Sequence, residues 1–188
     1  APDGQIEHWE LAYKLFLQSD TGVEWPSWLG PGGRDRLDTK LLRMLNHQLP
    51  LSSTPQAIAT LRDRRDLPAI DRKRIMVQGV LFGPWGAAPQ RAAQAHQEAQ
   101  GRWLRPSDLP KLVIHDPDAR WVQRNKPLWF GPCHRTTGMT TGQLMETVGT
   151  DRLEYPQLWS RLPSAPFDHE TMFFVVAENW GRPAPKPD

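Results

Sequence analysis

The stretch QIEHWELAYKLFL, residues 5–17, has the pattern of a long β-strand. Successive side chains of a strand point to opposite faces. The odd-numbered face is mostly apolar and is expected to face the core, with Glu7, Trp9, Leu11, Tyr13, Leu15 and Leu17. The even-numbered face carries His8, Glu10, Ala12 and Lys14. The polar face is therefore where this strand is expected to present chemically active groups.

The next segment predicts helices. A Gly- and Pro-rich loop at residues 30–33 leads into a helix predicted over 34–49, which Pro50 ends. Its apolar stripe has helical spacing and consists of Leu37, Leu41, Met44 and Leu45. Thr54 and Pro55 predict the N-cap and the first helical position of a short second helix.

A second strand is predicted at residues 75–82, IMVQGVLF, which are apolar on both faces apart from Gln78 and Gly79. This pattern is typical of a central strand that is covered on both sides. Strands separated by helices indicate an α/β fold rather than an all-α one. We expect a single domain over residues 1–180, followed by a Pro-rich tail at 181–188.

Composition limits the class of protein. The chain has 188 residues, 38% of them hydrophobic, with nine Trp and six Phe to anchor a core. Its longest apolar stretch, residues 172–177, is far shorter than the ~20 residues of a membrane-spanning helix, so no membrane association is expected. Cys133 is the one cysteine and cannot form an internal disulfide, which predicts a reducing, cytoplasmic compartment.

Charge is segregated along the chain although the net charge is only +2. Residues 1–50 carry a net −2, residues 51–135 a net +7 and residues 136–188 a net −3. A basic middle segment is typical of proteins that bind the phosphate backbone of DNA or RNA. The alternative is a solvated surface rich in arginine.

The polar face of the first strand suggests a chemistry. A carboxylate, a lysine and an imidazole are the groups used in metal-assisted phosphodiester hydrolysis, in which Glu10 would help bind a hard cation such as Mg²⁺. Lys14 would orient the attacking water or neutralise charge that develops on the phosphate. In a regular strand, however, the Cα atoms of Glu10 and Lys14 are ~13 Å apart. The alternative is an ordinary charged face at the edge of a sheet.

Other candidate residues are less specific. Gln78, in a strand expected to be buried, needs a hydrogen-bonding partner and is either structural or part of the same site. A basic stripe on the 34–49 helix includes Arg36, Lys40 and Arg43, and with Arg34 it could contact a nucleic-acid backbone. The sequence contains no phosphate-binding loop, no dinucleotide fingerprint and no Gly-x-Ser-x-Gly motif, so no organic cofactor is expected.

Several longer blocks resemble the bacterial family called "domain of unknown function 1853". They are HWELAYK at 8–14, WLGP at 28–31, RDRLD at 34–38, HQLPLS at 47–52, QGVLF at 78–82, WLR at 103–105 and FVV at 174–176. The block from Trp28 to Ser52 is the most specific. The resemblance implies a fold of the PD-(D/E)XK type, as in restriction nucleases, with a mixed central sheet flanked by helices.

The same resemblance implies specific roles and a missing part. An upstream strand bearing a metal-binding Asp would precede Ala1, so the chain is expected to be truncated at its N-terminus and inactive alone. Glu10 would supply the second carboxylate and Lys14 the lysine, although Ala12 stands where this superfamily usually has the acid. The expected function is therefore that of a Mg²⁺-dependent nuclease when full length. The alternative is an inactive domain that binds nucleic acid or a protein through its basic middle segment.

Overall fold

A computed structural model describes residues 6–19, 22–65, 70–88, 90–92, 100–126, 129–130, 137–149, 153–162 and 172–182. Predictions that concern Cys133 and the Pro-rich residues 183–188 lie outside these ranges.

The described residues form an α/β structure, which confirms the predicted class. The strands are β1 (Ile6–Gln18), β2 (Trp28–Leu29), β3 (Ile70–Pro84), β4 (Gly101–Leu104), β5 (Arg120–Arg124), β6 (Met139–Thr140), β7 (Gln157–Leu162) and β8 (Met172–Val175). The α-helices are α1 (Leu37–Arg43), α2 (Pro55–Arg65), α3 (Leu109–His115) and α4 (Thr141–Val148).

The eight strands belong to one mixed sheet in the order β2-β1-β3-β4-β8-β7-β5-β6. Strand β4 pairs in parallel with both β3 and β8. The pairs β1–β2, β7–β8, β5–β7 and β5–β6 are antiparallel. The mixture of parallel and antiparallel pairs agrees with the mixed sheet that was expected.

The chain divides into two compact units. The first unit comprises residues 1–14 and 37–79, and the second comprises residues 15–36 and 80–188. Strands β1 and β3 each contribute their first part to the first unit and their last part to the second. The two candidate catalytic residues of β1, Glu10 and Lys14, therefore both belong to the first unit.

The second unit contains two buried apolar clusters, one on each face of β8. Phe174 belongs to the cluster that also contains Phe82 and Trp103. Phe173, one residue earlier, belongs to the cluster with Trp121 and the residues of α3 and α4. A strand buried on both faces is typically apolar throughout, as residues 172–177 are.

The predicted helix over 34–49 is shorter and less regular than expected. Residue Arg36 forms a β-bridge with Leu29, and the Gly30 N–H donates to the Asp35 carbonyl at 2.7 Å, so the chain is still extended there. The α-helix begins at Leu37 and continues after Arg43 as a π-helical segment (Met44–Gln48) and a 3-10 turn (Leu49–Ser53). Pro50 lies inside that turn instead of ending the helix.

The apolar stripe of this helical region is confirmed only in part. Leu37 and Met44 are buried, whereas Leu45 is exposed to solvent. The change from α-helix to π-helix after Arg43 alters the angle between successive side chains, so the spacing predicted for a regular helix no longer applies. The cap predicted for α2 is confirmed, because the Ala57 N–H donates to the Thr54 hydroxyl at 3.2 Å.

Strand β3 is longer than predicted and is not covered on both faces along its whole length. Val80 and Phe82 are buried in the core of the second unit, as expected. Met76 and Gln78, which belong to the first unit, are exposed, so the expectation of a doubly covered strand is wrong for them. Ile75 and Val77, which point the other way, are half-buried. Apolar character alone did not distinguish the covered part of the strand from the open part.

Candidate functional site

In the first part of β1 the polar face is half-buried and the apolar face is exposed, which is the reverse of the expectation. Trp9, Leu11 and Tyr13 are 41%, 66% and 47% exposed. The even-numbered residues of the same stretch, among them Glu10 and Lys14, are half-buried. The expectation that odd-numbered residues face the core holds for Leu15 and Leu17, in the second unit, and is wrong for Trp9, Leu11 and Tyr13.

The polar face is hydrogen bonded to a helical turn at His8. His8 Nδ1 lies 2.8 Å from the hydroxyl of Ser52, which belongs to the 3-10 turn after the π-helical segment. The Ser52 hydroxyl in turn lies 3.2 Å from the Leu49 carbonyl of the same turn. A hydrogen bond that crosses between elements 44 positions apart in sequence fixes the turn against this side of β1.

Glu10 is held by the same imidazole. His8 Nε2 lies 2.8 Å from Glu10 Oε1, and the two side chains are 19% and 20% exposed. The result is a hydroxyl–imidazole–carboxylate chain of Ser52, His8 and Glu10. This chain orients the carboxylate and engages one of its two oxygens, while Oε2 remains chemically able to accept a further hydrogen bond or to ligate a cation. The role of Ser52 was not predicted, because its proximity to β1 depends on the tertiary fold.

Lys14 lies on the same half-buried face of β1 as Glu10. Both residues belong to the continuous strand β1. A regular strand places Cα atoms four residues apart at ~13 Å from each other. The backbone of β3 comes close to the Lys14 backbone, because a Cβ built on Gly79 would lie 1.6 Å from the Lys14 carbonyl oxygen. The backbones of the two strands are therefore in close contact directly beside the lysine.

Gln78 is not brought together with Glu10 and Lys14. It is exposed, as are Arg74 and Met76, while the alternate residues Ile75 and Val77 are half-buried. Arg74 contacts Trp9, which shows that the exposed face of β3 lies on the same side as the exposed face of β1. Gln78 therefore belongs to the side of the strands opposite the polar face.

The basic stripe predicted for Arg36, Lys40 and Arg43 is not formed by one helix, because α1 begins at Leu37. Arg34 and Arg36 are exposed but precede α1 and belong to the second unit. Lys40 is half-buried and Arg43 is exposed, and both lie in α1 in the first unit. The β-bridge at Arg36 explains the difference, because it keeps this part of the chain from joining the helix.

A second polar cluster lies on the exposed side of β1 and was not predicted as a site. Trp9 Nε1–H donates to Glu7 Oε2 at 2.8 Å, and the Arg74 guanidinium lies 5.2 Å from the centre of the Trp9 ring. Arg74 and Arg72 also approach Glu7, at 3.3 and 3.9 Å. The Trp9 hydrogen bond, aided by the two guanidinium groups, holds the pKa of Glu7 below its ordinary value, although desolvation opposes the shift. The alternation of Glu7 and Trp9, with Arg72 and Arg74 two residues apart, was the available sequence signal.

Comparison with known protein families identifies the family to which the chain belongs. The family "Domain of unknown function (DUF1853)" matches residues 1–162, and the chain therefore belongs to that family. No curated protein matches the chain. No solved structure matches it either.

Two kinds of feature are absent from the residues that the structure describes. Within those ranges, no helix has the length and apolar character needed to cross a membrane. The same part of the chain holds no group of three His, Cys, Asp or Glu side chains placed to bind a metal ion.

Proposed function

We propose that this domain is the core of a divalent-metal-dependent nuclease with a PD-(D/E)XK-type fold. One observation carries the proposal: Glu10 and Lys14 share the half-buried face of β1, where His8 orients the carboxylate. The resemblance of the HWELAYK block to its family gives these two residues the roles of metal ligand and catalytic lysine. The mixed sheet with flanking helices is compatible with such a core.

The donor chemistry of the polar face fits a hard cation in part. Mg²⁺ binds oxygen ligands, usually a few carboxylates together with waters, and Glu10 provides one carboxylate of this kind. A second carboxylate would have to come from outside the described residues. When bound, the metal would supply Lewis-acid activation of the phosphodiester and of water. The roles proposed for the chain itself are that Glu10 holds the metal, His8 fixes the orientation of Glu10, and Lys14 places a positive charge near the phosphate.

The proposal is tested by nuclease assays of the purified full-length protein with Mg²⁺ or Mn²⁺ on labelled single- and double-stranded DNA and RNA. Glu10→Gln and Lys14→Ala are each expected to lower the rate by roughly 100-fold or more. Glu146→Gln and Lys126→Ala, exposed residues of the second unit, serve as matched controls and are expected to leave the rate unchanged. Equal cleavage by all variants would assign the activity to a contaminant and end the proposal.

A second candidate is a domain that binds nucleic acid or a protein without cleaving it. The net +7 of residues 51–135 favours this candidate, because cations there could contact phosphates. It predicts tight, salt-dependent binding to nucleic acid without cleavage. The nuclease proposal predicts binding together with cleavage. Binding measured in EDTA and cleavage measured with Mg²⁺ therefore separate the two candidates.

A further inference from the structure

The exposed side of the first unit carries large aromatic and apolar side chains. We call it the aromatic face, and it consists of Trp9, Leu11, Tyr13, Arg74 and Met76. Arg74 contacts Trp9, and five residues further along each strand Gly79 approaches Lys14. The paired positions therefore increase together along β1 and β3. Leu11 and Tyr13 therefore lie beside Met76 and Gln78. Two aromatic rings and two aliphatic side chains thus stand open to solvent on adjoining strands.

The Trp9 ring is held in place before any ligand arrives. Its Nε1–H is tied to Glu7 at 2.8 Å, and the Arg74 guanidinium lies over the ring at 5.2 Å. Arg74 is itself within 3.3 Å of Glu7. A ring fixed in this way loses little conformational freedom when a partner binds, which favours affinity.

The charges beside the rings are predominantly positive. Glu7 supplies one negative charge, and Arg72 and Arg74 supply two positive charges, so the cluster has a net charge of +1. Guanidinium groups bind phosphate oxygens and also stack on aromatic planes. Open aromatic rings bordered by arginine complement the flat bases and the phosphates of a nucleic-acid strand.

We propose that the aromatic face binds single-stranded nucleic acid, with bases stacked on Trp9 and Tyr13 and phosphates contacted by Arg72 and Arg74. The two rings are four residues apart on one strand, or ~13 Å, so each would stack on a different base. A duplex cannot make these contacts, because its bases are already stacked on one another. This face is opposite the polar face of Glu10 and Lys14, and its binding does not depend on hydrolysis there.

Fluorescence anisotropy of the full chain with a labelled single strand of about 12 nucleotides, as DNA and as RNA, tests the proposal in EDTA, where metal-dependent cleavage is blocked. Trp9→Ala and Tyr13→Ala are each expected to weaken binding about tenfold. Trp9→Phe keeps a ring and is expected to stay within about threefold of wild type. Arg74→Ala is expected to lower the slope of log K against log salt by about 0.7, the loss of one phosphate contact.

Tyr155→Ala is the matched control, because Tyr155 is 72% exposed and lies in the second unit. It is expected to bind like wild type, and circular dichroism checks that every variant is folded. Unchanged binding by Trp9→Ala and Tyr13→Ala, or equally tight binding of the matching duplex, would overturn the proposal. A dimer that Trp9→Ala dissociates in sedimentation, together with no binding of either oligonucleotide, would assign the face to a second copy of the chain instead. Failure of the nuclease assay leaves this result unaffected, since EDTA removes hydrolysis from the measurement.

Discussion

Glu7 lies at the centre of the polar cluster on the exposed side of β1. Its carboxylate accepts the Trp9 N–H and faces two guanidinium groups, all of which favour the ionised form. The neighbouring His8 and Glu10 point to the other side of the strand and form a separate hydrogen-bonded pair. Adjacent residues of β1 thus take part in two independent polar clusters, one on each face.

The lowered pKa of Glu7 predicts a specific pH dependence. Because the folded-state pKa lies below the ordinary value of 4.5, the stabilisation by Glu7 is fully present above about pH 4.5 and is lost as the pH falls through the folded pKa. The Trp9 hydrogen bond is the largest cause, so Trp9→Phe is expected to raise the pKa of Glu7 toward its ordinary value. Carboxyl-detected NMR titration measures this shift. Leu11→Ala serves as the control, and an unchanged Glu7 pKa in Trp9→Phe would contradict the assigned cause.

At the scale of elements, local signals predicted where strands and helices occur but not which sides they bury. The Thr54–Pro55 cap depends on neighbouring residues only, and it was found as predicted. Which face of β1 is covered, and the contact of His8 with Ser52, depend instead on tertiary contacts, which a residue alternation cannot show. The polar face and its Glu10 could be predicted as a candidate site, but the participation of Ser52 and the separation of Gln78 could not.

The close approach of β1 and β3 predicts an effect of Gly79→Ala. Gly79 has a φ of +155°, and a Cβ there would lie 1.6 Å from the Lys14 carbonyl oxygen, so the two strands would have to move apart. We expect a loss of roughly 2–4 kcal/mol in the free energy of unfolding, from overpacking together with an unfavourable φ. Urea denaturation followed by circular dichroism provides the measurement. Gly32→Ala is the matched control, since nothing lies within 4 Å of a Cβ there, and equal stability of the two variants would show that the strands tolerate the methyl group.

At the scale of the whole molecule, burial is unevenly distributed between the two units. Both buried apolar clusters of the described residues belong to the second unit, where β8 is buried along its entire length. In the described part of the first unit, the buried hydrophobic residues are Leu37 and Met44, while Leu42, Leu45 and Leu51 are exposed. The sequence indicated enough apolar residues for one core, but it could not show how they divide between two units, because that division depends on contacts between distant segments.

This uneven burial predicts two levels of protection against hydrogen exchange. Local opening requires less free energy where fewer apolar contacts are lost, so amides of α1, α2 and the Leu49–Ser53 turn are expected to exchange faster than those of β4, β7 and β8. Mass spectrometry after timed exchange in low urea measures both sets in one sample. Leu112→Ala, which removes a fully buried side chain of the second unit, is expected to speed exchange in β8 and to cost about 2–5 kcal/mol. Equal protection of the two sets at every urea concentration would mean that the units unfold as a single cooperative structure. The polar face of β1 would then be as resistant to local opening as β4, β7 and β8.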